Sequence, residues 1–386
     1  MVLRRTVVSS LAVSAVLAGT ATLIAVRQAQ RARPDLFPVY RPFHRQLEAG
    51  TPRQVAVVYN PSKARTESVN RIITAELGFA NWPKARFYET EIDDPGAGMA
   101  RQAIADGAEI VLAVGGDGTV RAVADALAGT EATLGVVPLG TGNLLARNLE
   151  MNVADLHACI NVALHGQQRA IDMIHMSMTG PKTPPDVNYL VMGGAGFDAQ
   201  IMTDTREDLK AKIGWLAYVE ASMKHIVTRR RPAEISVDGG EAIHRKIRAV
   251  LIANTGKIQG GVNLASVAEL ADGQLEVIVL TPRNLLSWVR MVGQFILRRP
   301  NVPYPVVEHF VGTDVQVRFP HSHLPVEVDG DVLGDVTALH AQVRPSAVMV
   351  NVYPESMQIR SLGDLMDARE DIAQQQRLWW QRLFRL

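Results

Sequence analysis

The 386-residue chain has one cysteine, Cys159, so it cannot close a disulfide within itself. No Cys-x-x-Cys pair or His-rich spacing surrounds it, which weakly favours a reducing compartment. A charge excess is missing too. The 40 Lys and Arg against 39 Asp and Glu leave a formal +1, so nothing announces a nucleic-acid partner and any basic patch must be local. There is no internal repeat. Neither common phosphate-binding fingerprint occurs, because no Gly-Lys-Ser/Thr closes a Gly-rich loop and no Gly-x-Gly-x-x-Gly is spaced for a dinucleotide. His175, His225, His321 and His323 have no other ligands at metal spacing, and they read as packed or solvated side chains.

A chain of this length exceeds one ordinary domain, and its apolar content supports two cores with appendages. Residues 6–26 lack any charged side chain between Arg4-Arg5 and Arg27, and about 20 apolar residues cross a bilayer as a helix. A cleaved secretory signal is the rival reading, kept open by Ala18 and Ala21. Arg27, Arg31, Arg33, Arg41 and Arg45 outnumber Arg4 and Arg5, which orients the body towards the cytoplasm. The expectation is a single-pass anchor in the cell membrane over 1–30, then a Pro-punctuated linker over 31–52.

From residue 53 the pattern alternates. Strands are expected at 55–59, 87–90, 110–114 and 134–137, with helices in the stretch ending near Leu77 and at 97–106, 120–127 and 144–149. That rhythm implies βαβ units and a mainly parallel sheet, hence an α/β domain over 53–172. Beyond it, strand-like runs at 188–192, 234–237, 247–253, 275–280, 315–319 and 324–328 indicate a β-rich domain over 173–350. Two helices, near 215–225 and 285–297, each end in a basic cluster and a proline. The methionines of 173–178 alternate as core-facing strand residues would. A tail over 351–386 ends in Leu378-Trp379-Trp380-Gln381-Arg382-Leu383-Phe384-Arg385-Leu386, which suits either a membrane interface or a helix docked on the body.

Chemistry concentrates at strand ends. Gly115-Gly116-Asp117-Gly118-Thr119 follows a buried strand and opens a helix, where free N–H groups and the helix dipole favour an anion. Thr119 can cap the helix or touch a phosphate. Asp117 repels a phosphate, so it implies either a bridging Mg²⁺ or a structural hydrogen-bonding role. A second loop, Pro138-Leu139-Gly140-Thr141-Gly142-Asn143, stands in the same relation to its strand and helix. Two such loops at the carboxyl edge of an open parallel sheet can flank one phosphate chain.

These two loops, followed in order by Gly194-Ala195-Gly196-Phe197-Asp198-Ala199, resemble the diacylglycerol kinase catalytic family, which includes bacterial lipid kinases and sphingosine kinases. The resemblance runs over roughly 53–350. It implies a phosphofructokinase-like and NAD kinase-like α/β domain followed by a β-sandwich, with ATP between them, a lipid acceptor and Mg²⁺. It assigns nucleotide contacts to Asn60, Thr90, Gly115, Gly116, Asp117, Gly118, Thr119 and Thr141, although Asn60 before Pro61 also reads as a turn and Thr90 as a strand end. Val328-Asp329-Gly330-Asp331 resembles the family's Asp-Gly-Glu, making Asp331 the general base, one methylene short, with Asp329 as support or alternative. Asp-Gly between strands is equally a hairpin signal. Asp272-Gly273-Gln274-Leu275 resembles a segment associated with Mg²⁺, giving Asp272 and, less directly, Glu269 as metal ligands.

The expectation is therefore an ATP- and Mg²⁺-dependent lipid kinase acting at a membrane, with no nucleic-acid partner. The competing readings are an NAD kinase-like enzyme, which shares the Gly-Gly-Asp-Gly-Thr loop, and a nucleotide-binding scaffold without catalysis. A secreted binding protein requires a cleaved N-terminus.

Overall fold

The computed structural model describes residues 50–63, 65–181, 185–196, 230–256, 269–283, 287 and 306–354. Its first lobe alternates as the hydrophobic pattern requires: β1 (Val55–Tyr59), α1 (Thr66–Phe79), β2 (Arg86–Glu89), α2 (Ala97–Ala105), β3 (Ile110–Gly115), α3 (Asp117–Leu127), β4 (Thr133–Pro138), α4 (Leu144–Asn148) and α5 (Leu156–His165). The strands lie parallel in the order β2-β1-β3-β4. Every residue of β3 and β4 is buried, as expected of parallel strands covered on both faces. Successive side chains point to opposite faces. Ala56, Val58, Val111 and Ala113 therefore pack with α2 and α3, while Val55, Val57, Ile110 and Leu112 pack with α1 and α5. In α1 the buried stripe is Val69, Ile73 and Leu77, a four-residue spacing that keeps one helical face on the sheet.

The second lobe is built from β5 (Gln167–Thr179), β6 (Val187–Tyr189), β7 (Met192–Ala195), β8 (Arg231–Val237), β9 (Ile243–Ile247), β10 (Ala249–Ala253), β11 (Leu275–Leu280), β12 (Val307–Gly312), β13 (Asp314–Arg318), β14 (Leu324–Val328), β15 (Asp331–Val336) and β16 (Ala338–Val352). A six-stranded antiparallel sheet in the order β12-β11-β10-β7-β14-β15 shares a core with β5, β8, β13 and β16. Ile174, Met176, Tyr189, Val277, Val317 and Val326 fill it, so the two sheets form a sandwich.

Two long strands join the lobes. β16 pairs antiparallel with β5 along nearly its whole length, and Met349 and Val350 then run parallel beside Thr133 and Leu134 of β4. Val348, Val350 and Val352 thus belong to the first lobe's core, with Ile171. A boundary at 172/173 falls inside β5, and the last residues of β16 return to the sheet the chain left. Where β16 changes register, between Arg344 and Val348, buried Asp172 accepts N–H groups from Ser346 (2.7 Å) and Gly273 (2.6 Å).

The single strand expected at 188–192 is two, interrupted at Leu190-Val191. The main chain there bonds elsewhere: the Asn254 amide donates to the Leu190 carbonyl, Asn254 N–H donates to that of Val191, and the Leu190 N–H reaches Asp329. The run 247–253 likewise divides at Arg248, whose N–H donates to the Leu280 carbonyl. The helices expected near 215–225 and 285–297, and the C-terminal tail beyond 354, lie outside the described residues.

The expected transmembrane helix and cell-membrane location are corrected here. No helix among the described residues is long and apolar enough to cross a membrane. Residues 1–30, on which the expectation rested, lie outside them.

Candidate functional site

The carboxyl ends of β1 to β4 lie along one edge of the parallel sheet, and the expected loops leave from that edge. Asn60 follows β1, its N–H donating to the Val114 carbonyl at 3.1 Å while its Oδ1 accepts from Ser62 N–H and Oγ–H. It is an Asx turn that shapes the loop. Thr90 follows β2 and is buried, its methyl 3.5 Å from where a Cβ on Gly96 would stand.

The two Gly-rich loops lie against each other. Leu139 N–H donates to the Gly115 carbonyl at 2.7 Å, and a Cβ on Gly140 would approach the Gly116 Cα to 2.8 Å. Glycine is needed there for close backbone approach, not for its torsions. Asn143 holds its own loop by exchanging hydrogen bonds with Gly140, and adopts a left-handed φ of 49° where α4 begins, a conformation asparagine tolerates.

Asp117 has a structural hydrogen-bonding role. One carboxylate oxygen accepts Asn143 N–H at 2.8 Å and the other Leu144 N–H at 2.6 Å. The first residue of α3 thereby caps α4, and the loops become one unit. Burial raises the Asp117 pKa, opposed by these N–H bonds, with nearby Asp331 adding to the rise. Thr119 is buried against Gly115. The N–H groups of Gly118 and Thr119 sit in the first turn of α3, where a helix leaves its donors without intrahelical acceptors. Thr141 is exposed on the facing loop.

The second lobe brings one hairpin to this edge. Val328 pairs with Asp331 across a two-residue turn, and Asp329 and Gly330 have φ of 47° and 95°, the positive pair that a tight hairpin with matching twist demands. The hairpin reading of Asp-Gly is therefore correct, and the turn separates its two aspartates. Asp329 is buried, its carboxylate accepting Met192 N–H at 3.0 Å and Leu190 N–H at 3.4 Å. Burial pushes its pKa up to about 6 against those bonds and the Arg121 charge. Asp331 is half exposed. Its Oδ2 lies 3.5 Å from where a Cβ on Gly118 would be, so the carboxylate faces the first turn of α3 directly.

Arg121 makes that arrangement and was missed from the sequence. Its Nη2 donates to Asp331 Oδ2 at 2.7 Å and its Nη1 to the Val328 carbonyl at 3.2 Å, fastening the hairpin of one lobe to the helix of the other. The signal was available: Arg121 stands four residues after Asp117, on the same helical face. A second link, from Thr255 Oγ1 to Asn148 Oδ1 at 2.8 Å, joins the lobes through α4.

Asp272 and Glu269 lie apart from this cluster in sequence and partners. Asp272 accepts N–H groups from Glu269 and Gln274, shaping the turn into β11. Among the described residues no group of three or more His, Cys, Asp or Glu could hold a metal ion. His175 meets Asn188 and Asp186.

Residues 54–176 match the diacylglycerol kinase catalytic domain, and residues 192–352 match the YegS C-terminal NAD kinase beta sandwich-like domain. The chain belongs to the diacylglycerol kinase catalytic family. A diacylglycerol kinase of Bacillus subtilis is 26% identical over 246 residues, 62% of this chain and 77% of its own length. A probable YegS-like lipid kinase of Pseudomonas putida is 28% identical over 308 residues, 78% of this chain and 95% of its own length. In fold the chain resembles a diacylglycerol kinase from Bacillus anthracis, with a TM-score of 0.62 at 17% identity, covering 80% of this chain and 99% of the other. Its relatives make this a lipid-kinase family, and a kinase family implies ATP use.

Proposed function

We propose that the chain transfers the γ-phosphoryl group of ATP to a lipid hydroxyl such as that of diacylglycerol, with Asp331 as general base. The observation that carries this reading is the approach of the Asp331 carboxylate to Gly118, in the first turn of α3. An anion-binding helix start and a solvent-reaching carboxylate stand side by side, and phosphoryl transfer asks for little more than positioning and charge neutralisation. The N–H groups of Gly118 and Thr119, with Thr141 on the opposite loop, hold the phosphates. Asp331 accepts the proton of the lipid hydroxyl as its oxygen bonds to the γ-phosphorus and the bond to the ADP oxygen breaks. Asp329 keeps the hairpin seated, and Arg121 aims Asp331.

ATP fits the residues present, because the Gly115–Thr119 loop presents main chain and donors where side chains would obstruct phosphate oxygens. Mg²⁺ bound with the phosphates would supply charge neutralisation, and Asp331 is the exposed carboxylate that could help hold it. The test is phosphorylation by the purified protein with labelled ATP and Mg²⁺, offered diacylglycerol, sphingoid, polyprenol and NAD acceptors in parallel. Label in a lipid is expected; label in NAD, or in no acceptor, overturns the reading.

A further inference from the structure

The two basic clusters noted in the sequence leave a residue outside the kinase site that has a structural setting of its own. Arg230 immediately precedes β8, and together with Arg245 and Lys246 of β9, Arg283 beyond β11 and Glu308 of β12 it lines a cavity of ≈ 560 Å³. Four cations and one carboxylate face this space. Glu308 answers only Arg245, whose Nε donates to both its oxygens at 2.8 and 3.0 Å. No carboxylate among the described residues pairs with Arg230, Lys246 or Arg283. Among the described residues the cavity thus gathers three positive charges with no carboxylate partner, in a chain whose formal total is +1.

Lys and Arg on an edge strand often only guard it against pairing with another chain, and β9 is such an edge. A guard has no need of further cations from two other segments, Arg230 before β8 and Arg283 after β11. Arg248, beside this group, donates its Nε to the Pro282 carbonyl at 2.8 Å; burial, and then the Arg230 charge, lower its pKa. Like charges are held together here at a cost, and an anion relieves it.

We infer that this cavity binds a phosphate ester, with Arg230, Lys246 and Arg283 taking the phosphate oxygens. Guanidinium groups match phosphate geometry with two donors each, and Lys adds a point charge. The volume falls within the range of organic ligand sites, about 300–1,000 Å³, so it suits a phosphate carrying a substituent, while Val306, Thr281 and His244 line the rest. The site is distinct from that of ATP. In the six-stranded sheet, β12 and the Asp331-bearing β15 are opposite edges, five strand spacings or roughly 24 Å apart at about 4.8 Å each.

The ester could reside on a lipid headgroup or on a soluble molecule, and the experiment separates these. The full chain is tested for binding to glycerol 3-phosphate by calorimetry, and to vesicles of phosphatidylcholine with and without phosphatidylglycerol by co-sedimentation. The partner is R230Q/K246Q/R283Q, in which Arg245 and Glu308 stay paired; the single variant K246Q, on an exposed strand position, serves if the triple variant does not fold. Each removed charge is expected to weaken binding about tenfold, less at high salt. Variant-sensitive binding to the anionic vesicles but not to the soluble ester makes a headgroup the ligand; the reverse makes it a soluble ester. Failure of the wild type to bind either probe, or equal binding by wild type and variant, overturns the inference. Because ATP turnover is not the readout, this outcome is separate from the fate of the kinase reading.

Discussion

The loops of the first lobe and the hairpin of the second both present an aspartate at the same edge, yet they use it in opposite ways. In the loops, Asp117 is turned onto main-chain N–H groups of Asn143 and Leu144, and what is left for a ligand is backbone. In the hairpin, Asp329 does the structural task by holding Met192 and Leu190, which leaves Asp331 half exposed with a side chain to offer. One lobe therefore offers main chain and the other a carboxylate. A phosphoryl-transfer site needs both halves, and Arg121 is the side chain that spans them.

The sharpest way to break this contrast is Asp331→Asn. The amide oxygen can still accept from Arg121, so the hairpin stays in place while the base is lost. Turnover should fall about 10²- to 10⁴-fold with ATP affinity nearly unchanged, measured by steady-state kinetics beside nucleotide titration. Normal turnover would remove Asp331 from the chemistry. Asp117→Ala should act on the other half: it leaves two N–H groups at the loop junction without their acceptor, at about 1–3 kcal/mol each. Urea unfolding and ATP titration should both register it, and a loss of turnover with unchanged ATP affinity would contradict the loop role. Arg121→Gln should lower kcat about tenfold with little change in the KM for ATP, since about 1.4 kcal/mol of positioning is tenfold in rate. Arg121→Lys should recover part of it; equal losses in both variants would mean that Arg121 only supports packing.

Much of this was legible in the sequence. The apolar patterns gave the first lobe's strands and all its helices but Leu156–His165, because parallel strands buried on both faces are continuous apolar runs such as 110–114. The Gly-rich loops announced themselves because close backbone approach admits no other residue at Gly140. What stayed hidden depends on partners distant in sequence. The break at Leu190-Val191 arises from Asp329 and Asn254, and the division of labour between Asp329 and Asp331 from the hairpin's meeting with Met192 on one side and α3 on the other. Arg121 drew no reading at all because its partner is 210 positions away. The continuation of β16 into the first lobe's sheet was equally invisible, since a long alternating strand does not reveal where its neighbours change.

The mildest expected effect on turnover comes from Asp329→Asn, which tests whether the hairpin's two aspartates are as separate as their surroundings imply. Burial raises the Asp329 pKa from 3.8 to about 6, so its folded state holds a proton that the unfolded state has already lost. The stabilising contribution is complete below the unfolded value and fades as pH climbs through the folded one. Across that window the wild type should lose up to about 3 kcal/mol from this group alone. Asparagine is uncharged throughout, suits the left-handed φ of 47° and keeps an oxygen for the Met192 N–H. Urea midpoints at about pH 4.5 and pH 7 should therefore differ less in the variant than in the wild type, while turnover at pH 7 stays within a few-fold. An unchanged pH slope would place the proton elsewhere, and a collapse of turnover would make Asp329 part of the reacting pair rather than the anchor that leaves Asp331 free to act.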